Sequence, residues 1–182
     1  CLDNQTITPN GGTFTFQNLD VYQGKLTSDI YRYDNQISNQ RFACLNTNID
    51  TSTIKINITS NNTVTAWTKA GDLTGINSNS TVYYLQENDE GLFEVYFGDG
   101  IIGAAPKDGD QIAISYLVTD NNHANGASTF SMSTSIGGNS DVSFTNTVSS
   151  SGGKDIETPD QIRFSASKFY TSQNRLVTVQ DY

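Results

Sequence analysis

Few residues in this chain could do chemistry. His123 is the only histidine. Acid–base catalysis near neutral pH most often relies on such a residue, oriented by a second polar group. No serine, cysteine or second histidine stands in a recognisable arrangement with it, so His123 reads as an exposed loop residue. Glu87, Asp89, Glu90 and Glu94 lie close in sequence and could supply the paired carboxylates of a glycosidase. A charged turn followed by an outward strand face explains them better. Asp99, Asp108 and Asp110 flank glycines, but not with the spacing of a calcium-binding hand. Turn chemistry accounts for all three.

The two cysteines, Cys1 and Cys44, are too few for a disulfide framework or a zinc site. Cys44 lies in Arg41-Phe42-Ala43-Cys44-Leu45, a predicted strand, and reads as a small buried hydrophobe. A Cys1–Cys44 disulfide is left open. Trp67, the only tryptophan, could stack on a sugar, but packing on the core is the preferred reading. The Asn-x-Thr triplets at Asn4, Asn57, Asn61 and Asn79 are expected by chance in so Asn/Thr-rich a chain. The glycines punctuate hairpins and do not lead a strand into a helix, so there is no phosphate-binding loop. The expectation is a protein without catalytic, cofactor-binding or metal-binding residues, without a cofactor, and not an enzyme.

The elements around these residues are mostly strands. Phe93, Val95 and Phe97 alternate with Leu92, Glu94 and Tyr96, and Ile112, Ile114, Tyr116 and Val118 with Ala113, Ser115 and Leu117. Side chains of a strand point to opposite faces with period two, so each run has one apolar face to bury. Gly98-Asp99-Gly100, Gly103, Pro106 and Asp108-Gly109 lie between the runs. The reading is an antiparallel pair with a short Ile101-Ile102 strand folded into its connection, and positive φ at Gly98 or Gly100. Ile54, Ile56 and Ile58 share a face, Asn61-Asn62 forms a two-residue turn, and Val64 to Trp67 returns as a hairpin. Further strands are expected at 13–17, 21–26, 29–33, 42–45, 79–87, 129–132 and 141–145. A turn is expected at 88–91.

Residues 149–153 are small and form the expected boundary between a β-rich platform domain, 1–150, and a truncated segment, 151–182. There, Thr158-Pro159-Asp160-Gln161 offers an N-cap, a proline at the first helical position and a glutamine at the third. Ile162, Ala166, Phe169 and Tyr170 follow at helical spacing, which predicts a helix from about Pro159 to about Ser172.

Composition sets outer bounds. Only 35% of the 182 residues are hydrophobic, and Asn, Ser, Thr and Gly are abundant, which suits a mostly β protein with many turns. The regular alternation and 10% aromatic content argue against disorder. A net charge of −9 leaves no obvious phosphate-neutralising surface, so a nucleic-acid partner is not expected, and anionic membranes would repel the chain. No apolar run is long enough to span a membrane, and no signal peptide opens the chain. The first residue is not Met, and the chain reads as an internal fragment of a larger protein.

The order of motifs carries a resemblance. It begins with Ile49-Asp50, Ile54-Lys55 and Trp67, then Ser80-Thr81-Val82-Tyr83-Tyr84 before an acidic turn. Glu94-Val95-Tyr96-Phe97-Gly98-Asp99-Gly100, Tyr116, and Ala124-Asn125-Gly126-Ala127 follow. Gly152-Gly153-Lys154-Asp155-Ile156-Glu157 and the segment from Val177 to Asp181-Tyr182 close it. At near-constant spacing this order resembles the baseplate wedge proteins of T-even-type contractile-tailed phages, which build the inner ring, and the wider J-like baseplate family. The resemblance covers about residues 49–182 and involves no active site. It implies a mainly β fold, an antiparallel β-sandwich-like domain followed by a helix that opens a further domain. It also implies a structural virion protein that meets a second copy of itself and other wedge proteins in a sixfold assembly, built in the bacterial host cytoplasm. An extracellular β-sandwich that binds carbohydrate is the competing reading.

Overall fold

A computed structural model describes residues 20–71, 75–135, 138, 140–146 and 148–172, with side chains of the helix through residue 168. The predicted strand at 13–17, Cys1, the glycosylation triplet at Asn4, the loop of residues 9–12, most of the turn at 137–139, the side chains of Phe169 and Tyr170, and the closing motif at 177–182 lie outside the described residues. The chain divides into two compact units between Asp120 and Asn121.

The first unit is mainly β, as expected. Its strands are β1 (Lys25–Arg32), β2 (Phe42–Ala43), β3 (Ile49–Ser60), β4 (Thr63–Lys69), β5 (Val82–Glu87), β6 (Phe93–Phe97) and β7 (Gln111–Val118). They form one seven-stranded sheet in the order β1-β7-β3-β4-β5-β6-β2. All pairs are antiparallel except β4–β5, which meet in parallel at Thr68↔Val82 and Lys69↔Tyr83. The two facing layers that alternation demands come from one sheet curling nearly into a barrel. Tyr31 on edge strand β1 lies 5.4 Å from the ring of Phe42 on edge strand β2, and its hydroxyl donates to the carbonyl of Ala43. Phe42 meets Phe97 at 5.8 Å, and Phe97 meets Trp67 edge-on at 5.0 Å. This row of rings bridges the interior from β1 to β4.

The core is the inward face of that sheet. Ile54, Ile56 and Ile58 of β3 are buried, as are Ile112, Ile114 and Tyr116 of β7 and Val95 of β6. Each side chain of this size contributes roughly 1.5–3 kcal/mol when removed from water. The β3–β4 hairpin forms as the sequence predicts. Ser60 pairs with Thr63, and both Asn61 and Asn62 take positive φ, as a type I′ turn requires. Asparagine tolerates that region better than most side chains do.

The expected pairing of β6 with β7 does not occur. β6 lies between β5 and β2, while β7 lies between β1 and β3. The connection between them is anchored across the start of β5: the Gly103 amide donates to the Asn77 carbonyl and the Ala104 amide to the Ser80 carbonyl. The chain is thereby carried away from β6. Ile101 and Ile102 form no strand either. They sit in an exposed turn, their amides donating to the Asp99 carboxylate at 2.9 and 3.1 Å. Gly100 has φ +86°, whereas Gly98 is required for close packing: a Cβ there would collide with the backbone of Ile102 and Gly103.

β3 also carries a wide bulge between Asp50 and Lys55, opposite Tyr116. The Thr53 hydroxyl replaces the missing ladder, accepting from the Leu117 amide at 3.0 Å and donating to the Asp50 carbonyl at 2.7 Å. Other strands differ in extent: β1 runs unbroken from Lys25 to Arg32 where the sequence predicts two segments, 21–26 and 29–33, β2 stops at Ala43 and β5 begins only at Val82.

In the second unit, residues 129–132 and 141–145 are not in strands, contrary to their alternation. Phe130 and Phe144 stay about half exposed, so no layer rewards a ladder there. The stretch 149–153 is tied to the turns at 121–126. The Gly126 amide donates to the Ser150 carbonyl at 2.8 Å, and Asn125 Nδ2 to the Gly153 carbonyl at 2.9 Å. Helix α1 (Pro159–Ser172) has the predicted bounds and cap. The Thr158 amide donates to Gln161 Oε1 at 2.8 Å, and the Gln161 amide returns to Thr158 Oγ1 at 3.4 Å.

Candidate functional site

The carboxylates singled out in the sequence are spread over structural tasks. Glu94, on the outer face of β6, accepts from Asn88 Nδ2 at 3.0 Å and lies 3.7 Å from the Arg41 guanidinium. Asn88 Oδ1 in turn accepts from the amides of Glu90 and Leu92, which builds the β5–β6 turn. Glu87, Asp89 and Glu90 are exposed around it. The Asp99 carboxyl is held below its usual range by the Ile101 and Ile102 amides. Asp108 accepts from the Asn35 amide at 3.1 Å, and buried Asp110 from the Lys107 amide at 2.8 Å. Asp99 and Asp110 each close their own turn, and Asp108 ties its turn to the loop at Asn35. Among the described residues no group of three or more His, Cys, Asp or Glu side chains could hold a metal ion. His123 lies exposed in the turns at 121–126.

Trp67 is in the core, edge-on to Phe97 and 8% exposed, and so is not a sugar-stacking platform. An open cleft of about 510 Å³ runs beside it where β3 bulges. Ser52, Lys55, Asn57, Thr68 and Lys69 rim the cleft, and among the described residues its lining holds no carboxylate or imidazole.

Two constellations were not legible beforehand. The first is internal. Asp29 of β1 accepts from the hydroxyl of buried Tyr116 on β7 and from the Leu45 amide at 3.1 Å, while Asn46 Nδ2 donates to the Tyr116 oxygen at 2.9 Å. Burial, reinforced by the hydrogen bond to Asp29, pushes the Tyr116 phenol up to about 12. The thiol of Cys44 is fully buried and likewise pushed up to about 12, first by burial and then by the charge of Asp29. This cluster joins β1, the segment after β2, and β7, and so helps to close the sheet.

The second constellation is external. Tyr84 and Tyr96 are directly paired across β5 and β6, their rings stacked 5.1 Å apart. The Arg41 guanidinium covers Tyr96 at 4.7 Å and donates to Gln86 at 3.0 Å. The available signal was phase: Tyr84 and Tyr96 alternate with buried Tyr83 and Val95, and so must face outward. A stacked tyrosine pair with a guanidinium on it is suited to rigid contact with another molecule.

No described helix is long and apolar enough to cross a membrane. Residues 26–125, essentially β1 to β7, match the family described as the third domain of bacteriophage baseplate wedge protein gp6. The chain is also 28% identical, over 192 aligned positions, to baseplate wedge protein gp6 of Enterobacteria phage T4. That alignment takes in 92% of the chain but only 28% of the relative's length. With more than half of its residues matched, the chain belongs to the family of the gp6 third domain of bacteriophage baseplate wedge proteins.

Proposed function

We propose that the chain is a structural part of a tail-baseplate wedge subunit, located in the virion, that helps to form the inner ring and couples host contact to sheath contraction. Family membership over residues 26–125 carries this reading. The fold suits it. A sheet whose edges are joined by Tyr31, Phe42 and Asp29 is a stiff body, and its exposed turns can meet neighbours. In this proposal the partners are a second copy of the chain and other wedge proteins, assembled sixfold in the host cytoplasm. A closed ring of repeated units needs heterologous contacts between them. Residues 151–182, with α1, lead into a further domain. The work is mechanical and no bond is made or broken, so the protein is not an enzyme and needs no cofactor.

The test is to purify tails from the phage that encodes the chain and quantify the protein by mass spectrometry and electron cryo-microscopy. The expected result is density for the seven-stranded sheet in the baseplate, in copies that are a multiple of six per tail. Absence of the protein from purified tails would overturn the proposal.

A further inference from the structure

The outer face of the β5–β6 hairpin carries an aromatic surface outside the core. The stacked rings of Tyr84 and Tyr96 form its middle. The Tyr84 hydroxyl donates to the Ile102 carbonyl at 3.4 Å, so the turn at 98–103 continues the same surface. That turn ends in Ile101, 74% exposed, and Ile102, 53% exposed. Adjacent isoleucines at a turn tip do nothing for the fold, since the turn is closed by Asp99 and by the Gly100 amide on the Gly103 carbonyl.

Among the described residues, the exposed charges at the two ends of this surface are acidic. Exposed Asp99 lies beside Ile101 at one end, and exposed Asp89 and Glu90 of the β5–β6 turn lie at the other. The cation on the face, Arg41, is engaged by Glu94, Gln86 and Tyr96. An apolar, tyrosine-rich centre with a charged rim is the anatomy of a protein interface, and tyrosine and arginine are the residues that most often carry binding energy there. An acidic rim selects a cationic partner through complementary potential.

We propose that this face, from Ile101 through Tyr84 and Tyr96 to Glu90, is a docking surface for a basic segment of a different baseplate protein. Apolar side chains of that segment cover Ile101 and Tyr84, and its lysines or arginines meet Asp99 and the Asp89-Glu90 turn. This inference rests on the wedge reading and adds the surface and the chemistry of the partner.

The test places a photo-cross-linking p-benzoylphenylalanine at Ile101 of the full-length protein, and in parallel at exposed Val64 on β4, in baseplates assembled in cells. The expected product from position 101 is a cross-link to a different protein within a Lys/Arg-rich segment. The doubly reversed variant Asp89→Lys with Glu90→Lys should lower its yield at least tenfold while leaving the circular dichroism unchanged. Ile101→Asp should lower incorporation into baseplates in the same way. Cross-linking to a second copy of the chain or to an acidic segment would overturn the proposal. So would no cross-link from position 101, or a yield indifferent to charge reversal, in baseplates that contain the protein. Failure of the protein to enter tails at all would instead remove the wedge reading, and this proposal with it.

Discussion

Gly98 lies directly beneath the carbonyl of Gly103, with no room between them for a Cβ atom. That contact is between backbone atoms, which cannot swing aside as a flexible side chain would. Gly98→Ala should therefore destabilise the first unit by about 1–3 kcal/mol, the range for forcing extra volume into a packed site. Gly100 has open space around it and φ +86°. Gly100→Ala should cost only the left-handed backbone penalty, roughly 1–2 kcal/mol. Urea denaturation of both variants checks the order; equal or reversed losses would show that the turn relaxes freely.

The Tyr116–Asp29 hydrogen bond predicts a specific alkaline sensitivity. Tyr116→Phe leaves Asp29 and Asn46 each without one partner and should cost about 1–3 kcal/mol. In the parent protein the Tyr116 phenol keeps its proton more tightly folded than unfolded, rising from 10.0 to about 12. Its stabilisation is complete below pH 10 and is lost as pH climbs towards about 12. Thermal melts between pH 8 and 12 should fall less steeply for Tyr116→Phe than for the parent. Tyr31 and Tyr83 are also raised, chiefly by burial, so the variant should retain some slope.

Cys44 should be inert while the sheet is closed. The thiolate is the reactive form, and burial pushes this thiol from 9.0 to about 12. A Cys1→Ser variant isolates it. Iodoacetamide at pH 8 should leave Cys44 unmodified in native protein and label it promptly in 8 M urea. Fast labelling without denaturant would mean that the β1–β2 closure opens readily.

The reciprocal bonds between Thr158 and Gln161 make a local prediction. Thr158→Ala should weaken the start of α1 by about 1 kcal/mol. Amide exchange in residues 160–163 should quicken while β7 is unaffected. Exchange that does not change would show that the cap contributes nothing to the helix.

What the sequence determined was local. The Ile54-Ile56-Ile58 and Ile112-Ile114-Tyr116 phases, the Asn61-Asn62 turn and the Thr158 cap each depend on neighbours a few residues away, and each formed as read. Motif order alone also carried the family resemblance that the match over residues 26–125 bears out. Tertiary structure decided partners. β6 and β7 have the alternation of a hairpin but lie with three strands between them, because the chain that connects them is anchored to Asn77 and Ser80. Residues 129–132 and 141–145 alternate equally well and form no strand, because alternation supplies a face and only a second layer supplies the burial that stabilises it. The Asp29–Tyr116–Asn46 cluster and the Arg41–Tyr96–Tyr84 face likewise join residues far apart in the chain, which sheet closure and strand register bring together.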